Sequence, residues 1–219
     1  MFKYLFIIGS IALGNYALAN TQAPGLENTD AKVIDIIDPP NSAALNIMVD
    51  ALSSLKELKK QNKASPENVE ALIRLKLVPN IATGVATQIT LNSHWEGLNT
   101  QQKQFFQRYI TESLIQDYVG ILSAYENIQS VQITVDPQVK RKDNRAIVKL
   151  IVTLNETEKP FHVSLKMIRL NSWYVYDLVF SGVSIVKNYE AQFNSYIKRK
   201  GLEALIERSQ KKLDKIGQK

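Results

Sequence analysis

Hydrophobic positions along this chain change their spacing twice. From Ser42 onward Leu45, Met48, Leu52 and Leu55 fall three and four residues apart, with Lys56, Glu57, Lys59 and Lys60 mostly on the other side, so one face of a helix is set up for burial. Ser65-Pro66-Glu67 is a helix start, serine as cap and proline at the first helical position. Val69, Leu72, Ile73 and Leu77 continue that helix to Pro79, and Ile81, Val85 and Ile89 lead a further helical stretch toward Trp95. Asn99 with Gln102 three residues on resembles a capping box. Behind it runs the longest periodic stripe: Phe106, Ile110, Leu114, Tyr118, Leu122 and Tyr125 near one face, flanked by Phe105, Tyr109 and Ile121.

After Asn127 the period becomes two. Val131, Ile133 and Val135 alternate up to Asp136-Pro137; Val148, Leu150, Val152 and Leu154 make one face of a second strand; Phe161, Val163, Leu165 and Met167 do so in a third. The fourth strand, Trp173 to Phe180, is apolar on both sides, with Trp173, Val175 and Val179 assigned to one face and Tyr174, Tyr176, Leu178 and Phe180 to the other. Short links at Asn155 to Lys159 and at Asn171-Ser172 suit antiparallel hairpins. Two helices close the chain. Ser184 caps the first, whose stripe is Val186, Tyr189, Phe193 and Tyr196, Gly201 ends it, and Leu202, Leu205, Ile206, Leu213 and Ile216 give the second an apolar face. Helices, then a curved four-stranded antiparallel sheet, then two helices define an α+β fold in one domain over residues 41–219.

The beginning of the chain reads differently. Lys3, the apolar run Leu5 to Leu13 and Ala17-Leu18-Ala19 have the order of a cleaved secretory signal peptide over residues 1–19. The apolar run is too short to span about 30 Å of hydrocarbon. Residues 20–40, with Pro24, Gly25 and Pro39-Pro40, read as a tether. Removal of the signal leaves 200 residues of net charge +5, where the full chain has +6. From Lys187 to Lys219 there are nine basic and four acidic residues, which accounts for that excess and suits a solvated helix face, anionic headgroups or an acidic protein surface. Nucleic acid is disfavoured, since no aromatics are interleaved with these lysines.

The chain has no cysteine and two histidines, so disulfides, thiolate metal sites and a cysteine nucleophile are excluded and zinc chemistry is disfavoured. Phosphate-cradling glycine loops and nucleophile elbows are absent. His94 and His162 lie in different segments and read as surface or packed residues. Asp177, inside the apolar fourth strand, is either a structural carboxylate bonded to a neighbouring amide or arginine, or an acid/base on an apolar substrate.

Trp173-Tyr174-Val175-Tyr176-Asp177-Leu178, Gly182-Val183-Ser184-Ile185-Val186, Asn188-Tyr189 and Gln192-Phe193 together resemble the signature of the MlaC (toluene tolerance, phospholipid-binding) family of Gram-negative bacteria. Leu77-Val78-Pro79, Gln102 with Phe105 and Phe106, and Tyr118 to Tyr125 agree with it. Glu190 stands where many relatives carry arginine, and the stretch Leu91 to Trp95 lacks a glycine often found there. The resemblance implies a non-enzymatic periplasmic carrier, without cofactor, whose cargo is a glycerophospholipid shuttled between the outer and inner membranes. Its implied partners are an outer-membrane MlaA-porin complex and an inner-membrane ABC transporter containing MlaD. A monomer is expected, because a shuttle gains from small size.

Strand parity then selects the lining of an enclosed apolar lipid cavity between sheet and helices: Tyr118 and Leu122 from the long helix; Val148, Leu150 and Val152 from the second strand; Val163, Leu165, Trp173 and Val175 beyond it; and Tyr189 and Phe193 as a further wall. Two other classes stay open on the residues alone: a small α+β enzyme using Asp177, and a ligand-free adaptor that docks through its basic C-terminal helix.

Overall fold

The computed structural model describes residues 39–155 and 157–218; the expected signal peptide and residues 20–38 of the expected tether lie outside them. Helix α1 spans Pro40–Lys60, with Pro39 in extended conformation before it and proline at its first position. The proline ring presets φ and its missing N–H is not needed there. Helix α2, Pro66–Leu72, begins as its sequence indicates, the Ser65 hydroxyl accepting from the Asn68 amide. It runs on through a π turn, Ile73–Leu77, and a 3-10 turn, Val78–Asn80. Helix α3 is Thr83–Leu91. Helix α4, Thr100–Ala124, starts on a complete capping box in which Asn99 and Gln102 satisfy each other's backbone amides. Among the described residues no helix is long and apolar enough to cross a membrane.

Six antiparallel strands follow: β1 Gln132–Val135, β2 Lys140–Lys142, β3 Arg145–Thr153, β4 Phe161–Arg169, β5 Trp173–Phe180 and β6 Val183–Ser184. The sheet order is β1-β3-β4-β5-β6, and β2 pairs with β3. The four long strands are those expected from the period-two pattern, and two short ones are added. Helices α5, Ile185–Lys200, and α6, Leu202–Ile216, complete the fold. Ser184 caps α5 by accepting from the Lys187 amide, and Gly201, at φ 86°, turns the chain from α5 into α6 in a conformation that only glycine takes without strain.

The apolar inner face of the sheet is the base of the larger core. Ala146, Val148, Leu150, Val152, Val163, Leu165, Met167 and Trp173 are buried there against Ala44, Ala51 and Leu55 of α1, Val69 and Leu72 of α2, and Ile115 and Val119 of α4. The opposite face of β3 carries the exposed Lys149 and Ile147, so the alternation of β3 separates core from solvent. A second core lies beyond it, where Leu91, Phe106, Ile110, Phe193 and Leu205 bring α3, α4, α5 and α6 together. Helix α4 therefore spans both cores. Its C-terminal half lies over the sheet and its N-terminal half among helices.

One assignment of face is corrected. The pairing shifts between Lys166 and Met167, so that Lys166 faces Asp177 while Met167 faces Val175, and Tyr176 is the extra residue. A bulge of this kind reverses the alternation downstream. Trp173 and Val175 before it and Leu178 and Phe180 after it thus share the inner face with Met167, Leu165 and Val163, whereas Val179 pairs with Ser164 on the other. The two-sided apolarity of β5 is the trace of this bulge. At the open end of the sheet the Arg141 and Arg169 guanidiniums lie 5.3 and 5.7 Å from the centre of the Trp173 ring, a stacking arrangement favourable for cations on an aromatic face.

Replacing Asn99 by alanine removes one half of the capping box. It should lower stability by about 1 kcal/mol and the melting temperature by roughly 2–4 °C, read by thermal unfolding in circular dichroism.

Candidate functional site

The described open space that coincides with predicted lining residues is a pocket of about 270 Å³ between α4, β6, α5 and α6. Helix α4 supplies Tyr109, Leu114, Asp117, Tyr118 and Ile121 to it, spaced so that they rise along one side of the helix. Val183 and Ile185 come from the β6–α5 junction, Asn188, Tyr189, Gln192, Phe193 and Tyr196 from α5, and Leu205, Arg208 and Lys212 from α6. Aliphatic and aromatic groups share the walls with the polar side chains of Asp117, Asn188, Gln192, Arg208 and Lys212. Val183, 49% exposed, stands at the mouth. The two cations are held by ring faces, Arg208 at 4.9 Å from Tyr196 and Lys212 at 5.8 Å from Tyr109.

The aromatic packing explains why this end of the helices holds its shape. Phe193 meets Phe106, Tyr109 and Tyr189 at ring-centre distances of 5.8, 6.0 and 5.9 Å, within the range where tilted rings attract. Burial, with the Asp117 carboxylate beside it, pushes the Tyr118 phenol up to about 12. Burial drives the Tyr189 phenol up as well, with Asp117 adding to the effect. Asp117 is itself raised by burial, against a weaker opposing pull from Lys212.

Of the eleven residues expected to line a cavity, the pocket includes Tyr118, Tyr189 and Phe193. The other eight are in the larger core: Val148, Leu150, Val152, Val163, Leu165 and Trp173 are buried on the sheet's inner face, and Leu122 and Val175 pack partly buried against them. Tyr118 belongs to that core as well as to the pocket. The expected lining is thus contiguous, but most of it is in contact with protein. Asp117, Arg208 and Lys212 are pocket residues outside the expected set. Asp117 was legible as a lone charge inside the stripe Leu114, Tyr118, Ile121, and Arg208 and Lys212 as an i, i+4 basic pair on α6.

Asp177 is a structural carboxylate, which corrects the acid/base alternative. It is 4% exposed, accepts from the Ser184 hydroxyl at 2.6 Å and the Val186 amide at 3.1 Å, and ion-pairs with Lys166 at 2.8 Å. It therefore ties β5 to β4 and to the first turn of α5, where a carboxylate is favoured by the helix dipole, and it is not among the residues lining the pocket. The expected amide partner is the backbone N–H of Val186, and the cation beside it is a lysine where an arginine was expected. His162 is exposed and His94 half-buried. Among the described residues no group of three His, Cys, Asp or Glu side chains could hold a metal ion.

Helices packed over an antiparallel sheet, with a pocket of mixed polar and apolar lining at one end, make this an α+β domain. The same fold is found in a phospholipid-binding protein from Ralstonia solanacearum solved in complex with a phospholipid. That structure matches with a TM-score of 0.70 at 24% identity, covering 81% of this chain and 98% of that one. The family model described as MlaC protein matches residues 46–211, and the chain belongs to the MlaC family. Toluene tolerance protein ttg2D of Pseudomonas putida is 29% identical over 164 residues, 74% of each chain. The intermembrane phospholipid transport system binding protein MlaC of Haemophilus influenzae is 24% identical over 152 residues, 68% of this chain and 70% of that one.

Two measurements check this description. Asp177→Asn should destabilise the protein by about 2–3 kcal/mol, below the roughly 3–5 of a fully buried pair because Lys166 is partly exposed, as a lowered urea midpoint. The second concerns alkaline pH. An unfolded phenol titrates near 10, so the unfolded chain loses this proton first, and the stability tied to neutral Tyr118 is intact below about pH 10 and falls as pH rises toward 12. Tyr118→Phe should remove one late step from a tyrosinate absorbance titration of the folded protein.

Proposed function

We propose that this protein is a periplasmic carrier that takes a glycerophospholipid by its acyl chains and moves it between the outer and inner membranes. The observation that carries the reading is the pocket: aromatic and aliphatic side chains among polar ones, contiguous at Tyr118 with the apolar core, and Arg208 and Lys212 in its lining. Membership of the MlaC family supports it, as do the phospholipid in the Ralstonia structure and the intermembrane transport system to which the Haemophilus relative belongs. The expected partners, an MlaA-porin complex at the outer membrane and an MlaD-containing transporter at the inner, belong to the same proposal.

Physical chemistry makes such a carrier necessary. At about 0.8 kcal/mol per methylene, exposing an acyl chain of roughly 16 carbons to water costs on the order of 13 kcal/mol, and a two-chain lipid about twice that. A protein that covers the tails and leaves the headgroup at the rim removes the barrier without breaking a covalent bond. The volume available is a constraint, however. Even drug-sized ligands occupy sites of roughly 300–1,000 Å³, more than the pocket's 270 Å³, so a lipid must widen it. The direction of widening is along Tyr118 and Leu122, between α4 and the inner face of the sheet, where the eight core residues of the expected lining lie. Tails would replace protein–protein contacts there with protein–lipid contacts of the same apolar kind, which makes the exchange nearly balanced in free energy.

Solvent extraction of the exported, purified protein followed by mass spectrometry should yield near-stoichiometric phospholipid. Ile121→Arg, which places a charge on the pocket wall at a half-buried position, should reduce the co-purified lipid at least tenfold while the circular dichroism spectrum is unchanged. Lipid content equal to wild type in that variant would remove the pocket from the route. Arginine at Leu150 or Leu165 is the less informative change, since both are at most 1% exposed and the fold itself would fail.

A further inference from the structure

We infer that the pocket discriminates between headgroups, favouring a glycerophospholipid whose headgroup carries an ammonium next to its phosphate, with Asp117 receiving the ammonium and Arg208 and Lys212 the phosphate. This rests on the carrier reading above and adds to it a specificity that apolar contacts with tails cannot supply.

Acidic groups in this fold are treated unequally. Glu112 is held by Arg74, Asp136 by Lys149, Asp177 by Lys166 and Glu190 by Lys187, each within 4 Å. Asp117 is about half-buried, lines the pocket beside Leu114, Tyr118 and Ile121, and has no hydrogen bond or ion pair among the described residues. A carboxylate withdrawn from water without a partner is unfavourable, and its burial already raises its proton affinity. A cation entering the pocket would relieve that cost.

The two cations of α6 do not fill this role. Arg208 and Lys212 lie one turn apart on the same side of the helix, and their charged ends rest on the faces of Tyr196 and Tyr109. Lys212 is close enough to influence Asp117 but beyond ion-pair distance. Ring faces orient a cation without neutralising it, so both remain able to bind phosphate oxygens. The charged groups of the pocket are therefore one negative and two positive, beside neutral polar and apolar side chains, the complement of a zwitterionic headgroup. A headgroup whose only charge is the phosphate would meet the same cations, but would leave the carboxylate desolvated and close to a second negative charge, which penalises it.

The test incubates the protein with vesicles of equimolar phosphatidylethanolamine and phosphatidylglycerol of matched acyl chains, separates it by gel filtration, and quantifies the bound lipids by mass spectrometry. The wild type should carry phosphatidylethanolamine over phosphatidylglycerol by about fivefold, a ratio within the net value of one charge-assisted hydrogen bond. Asp117→Asn should bring the ratio close to one. A wild-type ratio equal to that of the vesicles overturns the inference without recourse to any variant. So does an Asp117→Asn protein, folded by circular dichroism, that keeps the preference. If the wild type acquires no lipid from either source, the carrier reading itself fails, a result distinct from lipid bound without selection.

Discussion

The inner face of the sheet is apolar along β3, β4 and β5, and it must be kept from water by something. In the structure described here that cover is protein: α1 lies across it, α2 closes one side, and the C-terminal half of α4 fills the rest. Covering the face is worth roughly 1.5–3 kcal/mol for each large aliphatic or aromatic side chain removed from water. The elements that provide the cover are therefore held by the same interaction that a fatty tail would use. On the carrier proposal, a lipid tail would compete for that surface through the same non-directional contact.

Polar anchors fix some of these elements to one another. Lys56 and Lys59 of α1 donate to the backbone carbonyls of Val131 and Ser123, which fixes the C-terminal end of α1 to the start of the sheet and the end of α4. Asp177 fixes the start of α5 to β5 and β4. By contrast, contacts between α4 and the α5–α6 pair near the pocket are mainly aromatic and aliphatic. Such contacts are non-directional and can be re-formed against another apolar surface.

Much of the fold was legible because local signals agreed with one another. The Ser65, Asn99 and Ser184 caps and the Gly201 stop all occupy their expected places, and three strands keep the face that their alternation indicates. The fourth did not, since a bulge at Tyr176 depends on how β5 pairs with β4 and leaves no unique mark in composition. The pocket was legible in part. Tyr118, Tyr189 and Phe193 were in the expected set, whereas Asp117, Arg208 and Lys212 come together only when α4 and α6 pack side by side.

By itself the amino-acid sequence determined the order of the long helices and strands, the capped helix starts, and which positions are apolar, because capping and periodicity act over a few neighbouring residues. Tertiary structure alone decided which apolar faces meet each other, that Asp177 is locked between a lysine and a helix start, and that Asp117 lines a pocket with no ion pair among the described residues. These depend on distances between segments far apart in the chain, where burial and the nearest opposite charge, and not residue type, set what a carboxylate can do.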